Sequence, residues 1–144
     1  MTVPAYLSAD DLAKLIRDSS KIPGIDYVVV DVRNEDYRGG HIKGSINVPA
    51  HELHLKAPAL AKKYEKVPLV IFHCALSQVR GPKSARIYRD AVQDALVTAS
   101  QDSPLFDQQI NVLRGGFNSW LYRFKDTEPE LIEAYDASVP RDDF

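Results

Sequence analysis

An α/β fold with a mainly parallel central sheet and helices on both faces follows from three observations. Short apolar runs rich in β-branched residues recur at 27–31, 69–72 and 110–113. Such uninterrupted runs suit strands buried on both faces, as parallel strands are. Segments with helical spacing lie between them, and alternation of this kind argues for right-handed strand–helix–strand crossovers. Finally, 144 residues match one domain. Its core is expected over about 6–124, with 125–144 as an acidic tail.

The elements follow in order. Ser8 is a helix cap, with Asp11 three residues on resembling the returning carboxylate of a capping box. Leu12, Leu15 and Ile16 then share one helical face, and Pro23-Gly24 breaks the chain. The first core strand is 27–31. Gly39, Gly40 and Gly44 mark turns around His41-Ile42-Lys43, and 45–48 reads as a second short strand before Pro49. A helix is predicted over 51–66, with Pro58 disturbing its first half. The strand at 69–72 feeds a polar loop from Cys74 to Arg80. Gly81-Pro82 opens the next helix, whose apolar residues run from Ala85 to Leu96 at helical spacing. A turn-rich connection at 101–108 precedes the strand at 110–113, which Gly115-Gly116 ends. A short helix at 117–124 carries the single Trp. The tail from Lys125 has two prolines and is expected to pack loosely or to act as a lid.

Composition sets bounds on function. Hydrophobic residues make up 44% and charged residues 26%, ordinary globular usage. A net charge of -2 argues against a broad basic field for nucleic acid. One Cys excludes an intramolecular disulfide and any metal site built from several thiolates. No apolar segment is long enough to cross a bilayer, and the first residues carry no signal-peptide pattern. A lone thiol fits a reducing compartment, so a cytoplasmic or nuclear monomer is expected, with no nucleic-acid or membrane partner, no metal and no organic cofactor.

Ligands of parallel α/β sheets bind beyond the carboxyl ends of the strands. The segment Leu69-Val-Ile-Phe-His-Cys74 puts the only cysteine at such an end. The loop Cys74-Ala75-Leu76-Ser77-Gln78-Val79-Arg80 then leads into a helix. Amides of a tight loop at a helix start form an anion nest, to which the helix dipole adds positive charge. Arg80 supplies a planar fork for two oxygens of a tetrahedral oxyanion. Such a field favours thiolate over thiol and aims it at bound phosphorus or arsenic. Ser77 is a candidate hydroxyl donor to the sulfur. A buried structural cysteine beside a surface arginine is the plainer reading of a lone Cys, and the strand–loop–helix context weighs against it. His73 is read as structural, acting on the thiolate only indirectly.

These residues resemble a known family. Cys-(five residues)-Arg after an apolar strand is similar to the cysteine-dependent phosphatases. Val29-Val-Asp31-Val-Arg33, Gly40-His-Ile-Lys-Gly-Ser-Ile-Asn47 and Val112-Leu-Arg-Gly-Gly-Phe-Asn-Ser-Trp120 resemble the rhodanese-like fold. Together with His-Cys-(five residues)-Arg-Gly-Pro they resemble Cdc25-type phosphatases, and above all the small single-domain relatives: fungal Cdc25-like phosphatases and eukaryotic arsenate reductases. The resemblance runs from about Tyr6 to Trp120. It implies a seven-residue loop counted from the cysteine, as here, where sulfur-transferring rhodaneses have six. It also exposes a departure: Cdc25 proper carries glutamates where this chain has Ala75 and Val79. The loop therefore lacks a carboxylic acid to protonate a leaving oxygen.

Other residues are weighed against plainer roles. Asp31 and Arg33 are read as a pair that ends a core strand and pins the next turn, and His41 as a brace. Glu35 and Asp36 are candidates for the missing acid, though a solvated loop face is the favoured reading. His51 and His54 are expected to be a surface pair, since no third metal ligand is indicated. Lys83 and Arg86 either attract anions or are simply solvated, Arg114 is an open candidate for the site rim, and Phe117, Trp120 and Phe124 are expected in the core.

The expected activity is that of a cysteine-dependent phosphatase of protein-tyrosine or dual-specificity type, with a shallow site for a phosphorylated protein or a small aryl phosphate. The alternative is arsenate reduction on the same loop. With one cysteine, that chemistry needs an external thiol, glutathione with glutaredoxin. Sulfurtransfer and a non-catalytic rhodanese-like binding module rank below both.

Overall fold

The run Val28–Asp31 is divided between two cores. Val28 and Val30 join one hydrophobic cluster, while Val29 joins the other. Successive strand side chains point to opposite faces, so an apolar run of this kind needs cover on both sides. The computed structural model describes residues 4–140. In chain order its elements are β1 (Ala5–Leu7), α1 (Ala9–Arg17), β2 (Val28–Asp31), β3 (His41–Ile42), β4 (Ile46–Asn47), α2 (Ala50–Lys63), β5 (Leu69–His73), α3 (Arg80–Thr98), β6 (Gln109–Leu113), α4 (Gly116–Phe124) and β7 (Ile132–Glu133). Three single 3-10 turns complete the set, the first at Glu35–Gly39.

The main sheet is wholly parallel, in the order β1-β6-β5-β2-β4. On one face Leu53 and Ala61 of α2 and Ala85, Tyr88 and Val92 of α3 pack against Val28, Val30, Val70 and Phe72. On the other, Leu12 and Ala13 of α1 and Phe117, Trp120 and Leu121 of α4 cover Val29 and Ile71. The predicted architecture, with helices on both faces, is the one observed. The Ser8 hydroxyl caps α1 by accepting from the Asp11 N–H at 3.1 Å.

Three parts differ from expectation. β1, β3 and β7 are additional strands, two or three residues long. Runs that short carry too little periodicity to be read from pattern. Pro58 lies inside a continuous α2. Both Pro58 and His54, whose carbonyl loses its helical partner, are exposed, so water can satisfy that carbonyl.

The tail is the third difference, because its first part is tightly packed. Leu131 is buried in the α1–α4 core, and the Trp120 indole N–H donates to its carbonyl at 3.1 Å. β7 pairs antiparallel with β3, the Glu133 carboxylate accepts from the Gly44 N–H at 2.7 Å, and Glu128 binds the Arg17 guanidinium. Farther on, Asp136 N–H donates to the Gly39 carbonyl at 2.9 Å, and Val139 sits where a Cβ on Gly39 would come within 2.8 Å of it. The expectation for the end of the tail falls partly on residues 141–144, outside the described residues.

Candidate active site

β5 ends at His73, and Cys74 lies fully buried (0% exposed) at the floor of the following loop, deeper than the shallow site expected. Its Sγ accepts two backbone N–H groups, from Ser77 and Gly81, each at 3.2 Å. Ser77 has φ +56°, a left-handed conformation that curls the loop back over the sulfur. The Ser77 hydroxyl has a different part from the one expected. It accepts from the Cys74 N–H at 3.4 Å, and the bond to sulfur comes from the Ser77 backbone.

The loop is held from behind by α4. The N–H groups of Phe117 and Asn118 donate to the carbonyls of Cys74 and Ala75, both at 2.9 Å. A planar trans peptide sets C=O and N–H on opposite sides. Fixing those carbonyls toward α4 therefore turns the amides of Ala75 and Leu76 away from it. Gly116 permits the approach: its φ is +61°, and a Cβ there would lie 2.4 Å from the Ala75 oxygen. On the other side, α3 begins at Arg80 without a side-chain cap, and Gly81 in its first turn supplies one of the amides on Sγ. Orphan amides of a helix start are thus spent on the sulfur. Arg80, half-buried, closes the loop; Gln78 and Val79 are exposed on its rim, Leu76 is half-buried and Ala75 is buried.

Beneath the loop lies a buried charged cluster. Asp31 accepts from the Arg33 backbone N–H at 3.0 Å, and Arg33 Nη2 donates to its Oδ2 at 2.8 Å. Arg33 also donates to the Gly40 carbonyl and lies 4.1 Å over the Phe117 ring. Burial alone would push the Asp31 carboxyl up, but His73 and the Arg33 fork outweigh it and hold the carboxyl below its ordinary value. His73 is wholly buried, and burial pushes its imidazole below the ordinary value despite Asp31 3.6 Å away. Its Nδ1–H donates to the Cys74 carbonyl at 3.0 Å. The three supporting residues named from sequence are therefore brought together under the nucleophile's peptide, and Asp31 with Arg33 forms the expected structural pair. Asn47, which sequence reasoning missed, ties the cluster to β4 by donating to the carbonyls of Asp31 and Arg33, both at 2.9 Å.

A cleft of about 750 Å³ lies at the carboxyl ends of β2 and β4. Asn34, Asp36, Asn47, Pro49 and His51 contribute to its wall. Glu35 is exposed as expected. Asp36 is only 4% exposed, which overturns its assignment to a solvated loop face. The 3-10 turn at Glu35–Gly39 folds it inward.

The remaining candidates are placed as follows. His41 stacks on Tyr37 at 4.1 Å and braces the turn. His51 and His54 are exposed, and among the described residues no group of His, Cys, Asp and Glu is arranged to hold a metal. Lys83 and Arg86 are exposed on α3, and Arg114 stacks over Tyr6 at 4.9 Å. Phe117, Trp120 and Phe124 are core residues.

A parallel sheet, a cysteine loop after its central strand and a helix start on either side of that loop define a class of proteins. The chain belongs to the rhodanese-like domain family, which matches residues 8–123. It is 30% identical over 132 residues to the dual specificity phosphatase ibp1 of Schizosaccharomyces pombe, covering 86% of this chain and 93% of that one. It is 38% identical over 117 residues to arsenate reductase 2.2 of Oryza sativa subsp. japonica, covering 81% of each. Among solved structures, Ygr203w, a yeast protein tyrosine phosphatase of the rhodanese family, superposes with a TM-score of 0.69 at 28% identity, over 94% of this chain and 95% of that one. The As-Sb reductase of Leishmania major superposes with a TM-score of 0.68 at 28% identity, over 90% of this chain and 84% of that one. The chain is thus an enzyme of the phosphatase and arsenate reductase branch of the rhodanese-like family.

Proposed function

We propose that this protein is a cysteine-dependent phosphatase of the protein-tyrosine or dual-specificity type, with Cys74 as nucleophile and Arg80 as oxyanion ligand. The observation that carries the reading is the pair of backbone N–H groups on Sγ, since two fixed donors stabilise a thiolate without protonating it. The thiolate attacks phosphorus in line. An S–P bond forms, the bond to the leaving oxygen breaks, and that oxygen takes its proton from water. Arg80 and the loop amides from Ala75 to Arg80 hold the three equatorial oxygens. Water then attacks phosphorus, the S–P bond breaks, and inorganic phosphate leaves with the thiolate restored. No cofactor takes part in these steps. The substrate is a phosphorylated protein or a small aryl phosphate.

A second reading, arsenate reduction, is favoured by Ala75 and Val79, which leave the loop without a carboxyl group. It is supported as well by the 38% identity to a plant arsenate reductase. Arsenate forms an adduct on Cys74 with loss of water. Two electrons then come from external thiols, glutathione with glutaredoxin, which end as disulfide. Steady-state hydrolysis of an aryl phosphate under reducing conditions, by wild type and Cys74→Ser, tests the first reading. Turnover lost in the variant supports it. No turnover above the variant, with glutathione-coupled arsenite production by wild type, replaces it by the second.

A further inference from the structure

We propose that Ser77 is a positioning residue for the nucleophile, joined to Cys74 by a reciprocal pair of bonds that aims a backbone donor at the sulfur. The proposal rests on Cys74 being the nucleophile, as in the reading above. The Ser77 N–H donates to Sγ at 3.2 Å, and the Cys74 N–H donates to the Ser77 hydroxyl at 3.4 Å. Each side chain thus accepts from the other residue's backbone across a separation of three. This is the reciprocity of a capping box, with the nucleophile in the place of the cap.

Three observations give the pair its function. The first is which donor needs it. Sγ receives the N–H groups of Ser77 and Gly81. That of Gly81 is directed by the first turn of α3, a rigid element. That of Ser77 comes from residues 75–79, which belong to no helix or strand. The amides of α4 hold the carbonyls of Cys74 and Ala75, before the chain reaches Ser77. The second observation is the backbone. Glycine adopts φ +56° freely and other L-residues rarely do. Serine at that position is strained where glycine is not, and its hydroxyl supplies what glycine lacks, an acceptor for the Cys74 N–H.

The third is the fit. Ser77 is 2% exposed, and a Cβ built on Gly81 would meet the Cys74 nitrogen at 3.3 Å and the Ser77 Oγ at 3.4 Å. The start of α3 therefore packs against both members of the pair. Cys74 is fully buried, so when the hydroxyl is removed its N–H is left without an acceptor or solvent. The fixed donor is of use twice. It stabilises the thiolate that attacks, and it meets the charge that returns to sulfur when the S–P bond breaks.

The test is a pH titration of the ultraviolet absorbance of the thiolate. The chain has 1 Cys, so the signal, blanked against the Cys74→Ser form of each protein, belongs to this sulfur alone. Ser77→Ala removes the hydroxyl and keeps the strain, and Ser77→Gly removes both. The expected result is that both variants need a proton concentration at least roughly threefold lower than wild type for the same absorbance. A shift in only one of them, or in neither, overturns the proposal, since backbone conformation or other groups then place the donor. A merely structural role lowers the melting temperature without moving the titration of the folded protein. If either variant has no thermal unfolding transition, Ser77→Thr takes its place. Threonine keeps the hydroxyl, so a wild-type-like titration supports the proposal and a displaced one overturns it. Absence of aryl phosphate hydrolysis by wild type is a separate outcome, which removes the phosphatase reading and leaves the titration to decide the part played by Ser77.

Discussion

Gly116 stands so close to Cys74 that a Cβ placed on it would lie 2.5 Å from the Cys74 carbonyl oxygen. The contact is backbone to backbone, so no flexible side chain can yield. Gly116 also has φ +61°, where any other L-residue is strained. Gly116→Ala is therefore expected to lose at least roughly 2 kcal/mol of stability in a urea titration. It is also expected to lower kcat/KM on an aryl phosphate, because the loop carbonyls lose the α4 amides that orient them.

The Arg33–Asp31 pair gives a second expectation. Both side chains are fully buried, and breaking such a pair from one side leaves an uncompensated charge. Arg33→Met should cost about 3–5 kcal/mol. The double variant Arg33→Met with Asp31→Asn should recover part of that loss, read as a coupling energy in a double-mutant cycle.

Acid sensitivity follows from His73. Its imidazole is held below its ordinary value by burial, so the unfolded chain binds that proton more readily than the fold does. A depressed pKa gives stability that is complete above the unfolded value and is lost as pH falls below it. The melting temperature is expected to drop as pH is lowered from about 6.5 toward 5. In His73→Gln that part of the slope should vanish, and the acid limb due to Asp31 should shrink, because His73 is one of the groups that hold its folded value down.

Leu131 tests the packed part of the tail. Leu131→Ala removes a fully buried side chain from the α1–α4 core and should cost roughly 2–5 kcal/mol. The loss is read as a lower urea midpoint, and it is expected because Leu131, just before β7, fills the core beneath α4.

The long-range plan was legible because it rests on patterns with a physical period. Three apolar runs and the helical faces between them specify a sheet buried on both sides, and Cys74 and Arg80 bracket a loop at the carboxyl end of β5. What escaped depended on contacts between distant residues. β1 finds its partner more than one hundred residues away, and β7 is two residues long. Asp36 looks like an ordinary loop acid until the turn folds it inward. Asn47 shows no sign in sequence that its amide will bond two carbonyls across β2. Gly115-Gly116 was visible as a strand end. That the second glycine makes room for the Cys74 peptide emerges only when α4 is seen against the loop.

The tether between α4 and the loop also sets an order of events in synthesis. Cys74 and Arg80 leave the ribosome well before Phe117 and Asn118, whose amides hold the loop carbonyls. β5 and β2 can pair early, but β6 must come between β5 and β1 before α4 can dock. Such long separations slow folding, since the chain loses freedom before contacts compensate. The anion cradle is consequently one of the last parts of the molecule to form, and a nascent chain carries its nucleophile for a time without the frame that directs it.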